Sequence, residues 1–350
     1  MNESSVSINK KQAISFWGIS IGIPVILGIL MWLVFQSGNS TGIFPVAWMF
    51  LPASGVMVGQ LLMKKEDPDR PALPKAFIIT FLVTTIVMIL CCLLPLFMDG
   101  QTVVNIGNAI FMVASILSFI LLLAATKKET RKAYGLSMPK LVPGIFIVLL
   151  FIVLYFVHIV FSGVLSSLVA GNISEYFNAE NWQLSSSNII TLVLLPISMF
   201  LAFLPYFGEE YGWRYYLQPI LQKKFGKKLG VVLLGVIWGL WHLPINMFFY
   251  SPDTALQCII LQVVACIAFA VFFGWAYAKT DGNIWVCVAI HFFNNNLGAA
   301  LTGADGSGNQ YAWSTVAIGA VSYLAIMALP FIFTKVYSKK TEDLSMLPKV

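Results

Sequence analysis

Charge is scarce in this chain of 350 residues. Asp, Glu, Lys and Arg together make up 10% of the sequence, against about 25% in an average soluble domain, and 59% of the residues are hydrophobic. A soluble domain of this length cannot bury so much apolar surface in one core, so a soluble enzyme, a disordered chain and a fibrous repeat are excluded. Because helices satisfy their own backbone hydrogen bonds in lipid, the sequence predicts an all-α, polytopic transmembrane helix bundle.

About ten apolar runs are long enough to cross the roughly 30 Å of hydrocarbon in a bilayer. We predict spans at 14–36, 43–63, 76–98, 104–126, 141–168, 188–207, 229–249, 255–278, 283–301 and 313–334. The first run is interpreted as a retained span, because it is too long for a signal-peptide core and no small-residue cleavage site follows it.

Positive charge is absent from every second connection between these spans. All 21 Lys and Arg residues fall before the first span, in the even-numbered connections or after the tenth span. The positive-inside rule therefore predicts that both termini are cytoplasmic. The net charge of +6 thus indicates membrane topology, and we expect a lipid bilayer rather than a nucleic acid as the partner of these charges.

Cysteine provides neither a disulfide framework nor a metal motif. No two cysteines have metal-ligand spacing, and all five lie inside apolar spans, where we interpret them as small hydrophobic side chains. They are Cys91, Cys92, Cys258, Cys266 and Cys287.

Ionisable side chains inside the predicted spans are few, and each is a functional hypothesis because burying it in a bilayer is costly. The pattern begins at the end of the sixth span, includes Arg214 in the connection that follows it, and continues in the seventh and ninth spans, where one amide is added: Glu209, Glu210, Arg214, His242, His291 and Asn295. The remaining histidine, His158, has no polar neighbour at helical spacing, and we interpret it as a core residue.

The two glutamates of this pattern point about 100° apart on a helix, so they need not share one environment. Glu210 and Arg214 have i,i+4 spacing and can pair, which leaves Glu209 to face a polar cavity. A carboxylate in a partly desolvated pocket is a competent general base near neutral pH. The structural alternative is a solvated acidic pair at the membrane boundary, and this stretch alone does not decide between the two.

The order of these residues resembles the CAAX protease and bacteriocin-processing family, also called the Abi or type II CAAX prenyl endopeptidase family. The resemblance rests on EEYGWR at 209–214, WGLWH at 238–242 and HFFNN at 291–295. Trp238 is a departure, because the family usually has Phe at this position. The resemblance implies N-terminal transmembrane helices over 1–187, a catalytic core over 188–305, and a last span with a cytoplasmic tail over 306–350.

The same resemblance implies an intramembrane endopeptidase of glutamic type, acting on membrane-associated or lipidated peptides. It implies that Glu209 activates water together with His242. His291 and Asn295 would donate hydrogen bonds to the developing oxyanion, and Glu210 with Arg214 would orient Glu209. We expect no cofactor. The short loops and compact length favour a multi-pass protein of the bacterial cytoplasmic membrane.

Other protease chemistries fit the sequence less well. A zinc protease of the His-Glu-x-x-His type is excluded because no histidine is followed by Glu. An intramembrane aspartyl protease needs two Asp residues inside spans, and the predicted spans contain none in their interiors. The string GISIG at 18–22 mimics a serine nucleophile turn, but it lies in an apolar span, and we interpret it as small-xxx-small helix packing.

Three alternatives stay open. Zinc held by Glu209, His242 and His291 would make the protein a metal-dependent variant of the protease, which we favour less. A non-catalytic immunity or scaffold protein could share the fold, although all four implied catalytic residues are present. A transporter is disfavoured, because neither an inverted repeat nor paired broken helices are evident in the two halves.

Overall fold

The structure, a computed structural model, describes residues 10–63, 71–178, 184–304 and 306–338. Within these ranges the chain is helical with no strand, so the predicted all-α fold is confirmed. The helices are α1 (Lys10–Gln36), α2 (Ile43–Leu62), α3 (Lys75–Leu96), α4 (Gly100–Ala125), α5 (Lys128–Ala133), α6 (Leu141–Ala170), α7 (Ile173–Tyr176), α8 (Ser186–Leu201), α9 (Leu204–Phe225), α10 (Lys227–Trp241), α11 (Leu243–Tyr250), α12 (Ala255–Lys279), α13 (Ile284–Thr302), α14 (Trp313–Ile332) and α15 (Lys335–Ser338).

Eight of the described helices are long and apolar enough to cross a membrane, and the count rises to ten if two bent pairs each form one span. The pairs are α8 with α9, bent by 68°, and α10 with α11, bent by 44°. The prediction of about ten spans agrees with this range. The cytoplasmic placement of the termini stays a prediction, and segments 64–70 and 339–350, which contain six of the 21 Lys and Arg residues, lie outside the described residues.

Proline marks the start of the second helix in each bent pair. Pro205 and Pro244 lie in the first turns of α9 and α11, where their missing N–H groups leave no hydrogen bond unmade. By contrast, α9 continues through Pro219 to Phe225. The preceding residues, Tyr211–Leu217, form a π-helical segment, and this wider turn accommodates the proline without ending the helix.

Close contact between α10 and α12 depends on two glycines. A Cβ atom at Gly235 would stand 2.4 Å from the Cα of Ile267, and one at Gly239 would stand 2.6 Å from the Cα of Val263. Small residues four apart let two helix backbones approach closely in a membrane. This contact sets the position of His242, which follows Gly239 by three residues.

The interpretation of GISIG as a packing motif is wrong for its glycines. A Cβ atom at Gly18 or Gly22 would meet no described atom within 4 Å. The segment is π-helical, and Ser20 is its buried residue. The glycines that bring α1 and α2 together are Gly55 and Gly59 of α2, where an added Cβ would stand 2.9 Å from atoms of α1.

The substitution Gly235→Ala tests whether this contact holds the bundle together. The added methyl group meets backbone atoms, so we expect the free energy of unfolding to fall by about 1–3 kcal/mol. The matched control is Gly22→Ala, which should change it by less than about 1 kcal/mol. Thermal unfolding of both variants in detergent measures the difference, and equal effects would contradict the packing described above.

Candidate active site

The glutamate pair lies in the first turns of α9, where that helix packs against α2. A Cβ atom at Gly208 would stand 2.3 Å from the carbonyl oxygen of Met49, and one at Gly212 would stand 2.2 Å from the Cβ of Pro52. These glycines flank Glu209 and Glu210 in sequence, so the close approach to α2 fixes both acids. Glu209 is 2% exposed and Glu210 is 0% exposed, which excludes a solvated acidic pair.

Glu210 is bound through both of its carboxylate oxygens. Arg214 Nε donates to Oε2 at 2.7 Å, as the i,i+4 spacing predicts, and His291 Nδ1 lies 2.9 Å from Oε1. Arg214 falls in the predicted connection after the sixth span, yet its side chain is completely buried within α9. The pairing explains the burial, because a charge inside a bundle needs an internal partner.

The guanidinium of Arg214 is enclosed by aromatic rings. Its Cζ lies 4.8 Å from the ring centroid of Trp238 and 5.0 Å from that of Phe273. Both terminal nitrogens, Nη1 and Nη2, lack a hydrogen-bond partner among the described residues. Cation–π contact and the Glu210 carboxylate are therefore the interactions that stabilise this charge.

Glu209 is held differently, by two indoles on one oxygen. Trp238 Nε1 donates to Oε2 at 2.6 Å, and Trp213 Nε1 donates to the same oxygen at 3.3 Å. Trp213 is one turn beyond Glu209 on α9, and Trp238 comes from α10. Sequence reasoning missed both roles, although Glu209 and Trp213 have the same i,i+4 spacing that identified the Glu210–Arg214 pair.

Hydrogen bonds at Nδ1 determine which ring nitrogen of His242 and of His291 is left free. His242 Nδ1 lies 2.8 Å from the carbonyl oxygen of Trp238, and because a carbonyl only accepts, Nδ1 carries the proton and Nε2 keeps a lone pair. His291 Nδ1 donates to the Glu210 carboxylate, which leaves its Nε2 for a ligand. His291 interacts electrostatically with both Glu209 and His242, so the three groups form one cluster.

The indole of Trp238 lies at the centre of this cluster. Its ring centroid is 6.2 Å from that of His242 and 5.6 Å from that of His291. It also contacts Glu209 through its N–H and Arg214 through its ring face. The EEYGWR, WGLWH and HFFNN motifs, which are far apart in sequence, therefore meet around one side chain.

Asn295 lies apart from the buried hydrogen bonds. It is exposed, one turn beyond His291 on α13, and it accepts from Asn294 Nδ2 at 3.0 Å. Its neighbour Asn296 instead donates to the hydroxyl of Tyr206 at 2.8 Å, and the ring of Tyr206 lies 5.4 Å from that of His291. Tyr206 therefore lies beside His291 and is held there by Asn296, and the sequence pattern identified neither residue.

The third histidine is outside this cluster. His158 on α6 has its Nδ1 2.7 Å from Ser322 Oγ on α14 and stacks on Tyr323 at 4.1 Å. It is thus a hydrogen-bonded residue between two other helices, which agrees with its interpretation as a structural residue.

The donors of the cluster fit a metal ion poorly. Within the described ranges, no group of three or more His, Cys, Asp or Glu side chains could hold a metal ion. The expectation that no cofactor is needed stays a prediction.

Replacing each glutamate with glutamine tests whether Glu209 and Glu210 have different environments. Glu210→Gln leaves Arg214 buried without a carboxylate, so we expect a loss of about 3–5 kcal/mol in unfolding free energy. Glu209→Gln keeps an acceptor oxygen for both indoles, so the loss should stay near 1 kcal/mol. Thermal unfolding in detergent provides the comparison. The assignment of the ion pair to Glu210 is wrong if the two variants lose equal stability.

Comparison with known proteins agrees with the motif arrangement. Residues 191–297 match a family model described as Type II CAAX prenyl endopeptidase Rce1-like. A relative named CAAX prenyl protease 2, from Methanococcus maripaludis, is 24% identical over 196 residues, which cover 53% of this chain and 68% of the relative. No solved structure matches the chain. The resemblance inferred from the three motifs is thus confirmed, and residues 191–297 are similar to Rce1-like type II CAAX prenyl endopeptidases.

Proposed function

We propose that the protein is an intramembrane endopeptidase that hydrolyses membrane-associated or lipidated peptides, with Glu209 as the general base. One observation carries this proposal. Glu210 is bound through both oxygens by Arg214 and His291, whereas Glu209 is held through Oε2 by neutral N–H donors. Its other oxygen, Oε1, is therefore the one that can accept a proton from water.

The proposed hydrolysis begins with a water between Glu209 and His242. The water donates one hydrogen bond to Glu209 Oε1 and one to the lone pair of His242 Nε2. As its oxygen attacks the peptide carbonyl carbon, Glu209 takes the proton and later returns it to the leaving amine. His242, whose protonated nitrogen is fixed by the Trp238 carbonyl, keeps the water in line with the carbonyl.

His291 and Asn295 would stabilise the oxyanion. A protonated His291 donates from Nε2, and the Glu210 carboxylate at Nδ1 stabilises the imidazolium, as the buried acid does in a Ser-His-Asp triad. Asn295 adds an amide donor from the exposed turn of α13 above His291, where an extended peptide can reach it. Removing one such donor typically lowers kcat by about 10²–10³.

The substrate class follows from the setting of the site. A buried site among apolar helices favours a peptide that is itself apolar or lipid-linked and that enters from the bilayer. The relative from Methanococcus maripaludis is named a prenyl protease, and a prenylated C-terminal peptide is therefore the first probe. We place the protein in a bacterial cytoplasmic membrane with both termini on the cytoplasmic side.

The variants Glu209→Gln and His242→Ala test this mechanism. We expect each to lower the rate of peptide cleavage by at least about 10², because the water then lacks its base or its second hydrogen bond. The substrate would be found by mass spectrometry of membrane peptides before and after deletion of the gene. Cleavage of that peptide by purified protein in liposomes is then measured.

The control for these variants is His158→Ala, which removes an intramembrane histidine outside the cluster and should cleave at the wild-type rate. All three proteins should elute as folded particles in detergent. Wild-type cleavage by Glu209→Gln or His242→Ala would refute the mechanism. If no membrane peptide changes on gene deletion and no probe is cleaved, the non-catalytic scaffold becomes the better interpretation.

Removal of metal ions tests the other alternative. Since no described three-ligand group could hold a metal, we expect cleavage to continue unchanged after dialysis against EDTA and 1,10-phenanthroline. A loss of activity that added Zn²⁺ restores would replace the general-base scheme with a metal-bound water.

A further inference from the structure

Two buried indoles make the most unusual contact in the cluster, because both donate to the same carboxylate oxygen. Trp238 Nε1 and Trp213 Nε1 reach Glu209 Oε2 at 2.6 and 3.3 Å. An indole N–H donates and cannot accept, so neither group can compete for the proton of a bound water. Their two hydrogen bonds hold Oε2 in one place and stabilise the negative charge of Glu209.

The two indoles are themselves fixed from different sides. Trp213 is completely buried and packs edge-on against Phe16 of α1 and Trp241 of α10, with centroid distances of 6.1 and 5.4 Å. Trp238 lies between Arg214, 4.8 Å from its ring centroid, and His291, whose centroid is 5.6 Å away. Both indoles are enclosed by these neighbours, so the oxygen to which they donate, Glu209 Oε2, is held in one position.

We propose that Trp213 and Trp238 are positioning residues for Glu209, which orient its carboxylate so that Oε1 faces the attacking water. This inference rests on the proposed function of Glu209 as general base. Trp238 carries the larger share, because its hydrogen bond is shorter. A Phe at this position would supply the ring but no donor.

The position of the Glu209 carboxylate matters because a base must lie within hydrogen-bond reach of the proton that it takes. A Glu side chain has three rotatable bonds, so without such contacts its carboxylate can move away from the water. Among the described residues no cation forms an ion pair with Glu209, because Arg214 and His291 both make their short contacts with Glu210. In a low-dielectric interior, donors aimed at a carboxylate replace the water that would otherwise solvate it. The indole pair therefore provides the solvation that Arg214 provides for Glu210, without neutralising the base.

The test compares Trp238→Phe and Trp213→Phe with Trp285→Phe in the cleavage assay of a liposome-bound peptide. Each substitution removes one indole N–H and keeps an aromatic ring. Trp285 is the matched control, because its Nε1 donates at 3.0 Å to the carbonyl of Leu136, away from the glutamates. Rates are normalised to the folded fraction measured by size-exclusion chromatography.

We expect Trp238→Phe to lower kcat by about tenfold to a hundredfold with KM unchanged, as for loss of a hydrogen bond to a charged group that acts in the chemical step. Trp213→Phe should lower kcat less, and Trp285→Phe should leave it unchanged. A purely structural role predicts the opposite order for the first two, because Trp213 is the more deeply buried ring.

The variant Glu209→Gln, measured in the same assay, distinguishes failure of the positioning role from failure of the proposed function. If Glu209→Gln is inactive while Trp238→Phe and Trp213→Phe keep the wild-type kcat, the positioning role is refuted and the general base stands. If Glu209→Gln cleaves normally, the proposed function itself is wrong. Should Trp238→Phe not fold, Trp213→Phe still decides, because an unchanged kcat in that folded variant would overturn the proposal.

Discussion

The burial of Glu209, Glu210 and Arg214 among apolar helices is the constraint on which this site depends. A carboxylate or guanidinium inside a helix bundle is stable only if protein groups replace its solvent. The two adjacent glutamates meet this requirement in opposite ways, one by an ion pair with Arg214 and the other by indole N–H donors. The difference in partners gives two chemically identical side chains different roles.

Close backbone contact makes this arrangement possible. Gly208 and Gly212 seat α9 against α2, and Gly235 and Gly239 seat α10 against α12. Trp238 then reaches Glu209 from α10, and His291 reaches Glu210 from α13. The glycine contacts thus fix α9, which carries the acids, and α10, which carries Trp238, against two other helices.

Much of this could be predicted because it depends on local spacing. Apolar runs indicate spans, and i,i+4 spacing indicates the Glu210–Arg214 pair. Two of the contacts that sequence reasoning missed are between helices: Trp238 with Glu209, and Glu210 with His291. Spacing along one helix cannot show which side chain of another helix lies opposite. The burial of Arg214, a residue of a predicted connection, could not be predicted for the same reason, because it depends on Trp238 and Phe273 from other helices.

The contacts between helices also show which site residue Glu210 and Arg214 bind. The motif resemblance implies that Glu210 and Arg214 orient Glu209, yet their hydrogen bonds connect to His291. A cation beside the base would weaken it, because an opposite charge stabilises the ionised carboxylate. Beside His291 the same ion pair is favourable, because the Glu210 carboxylate stabilises an imidazolium that can donate to an oxyanion. Because the Glu210–Arg214 ion pair contacts His291 and not Glu209, one turn of α9 can provide the general base and also support the oxyanion donor of the proposed hydrolysis.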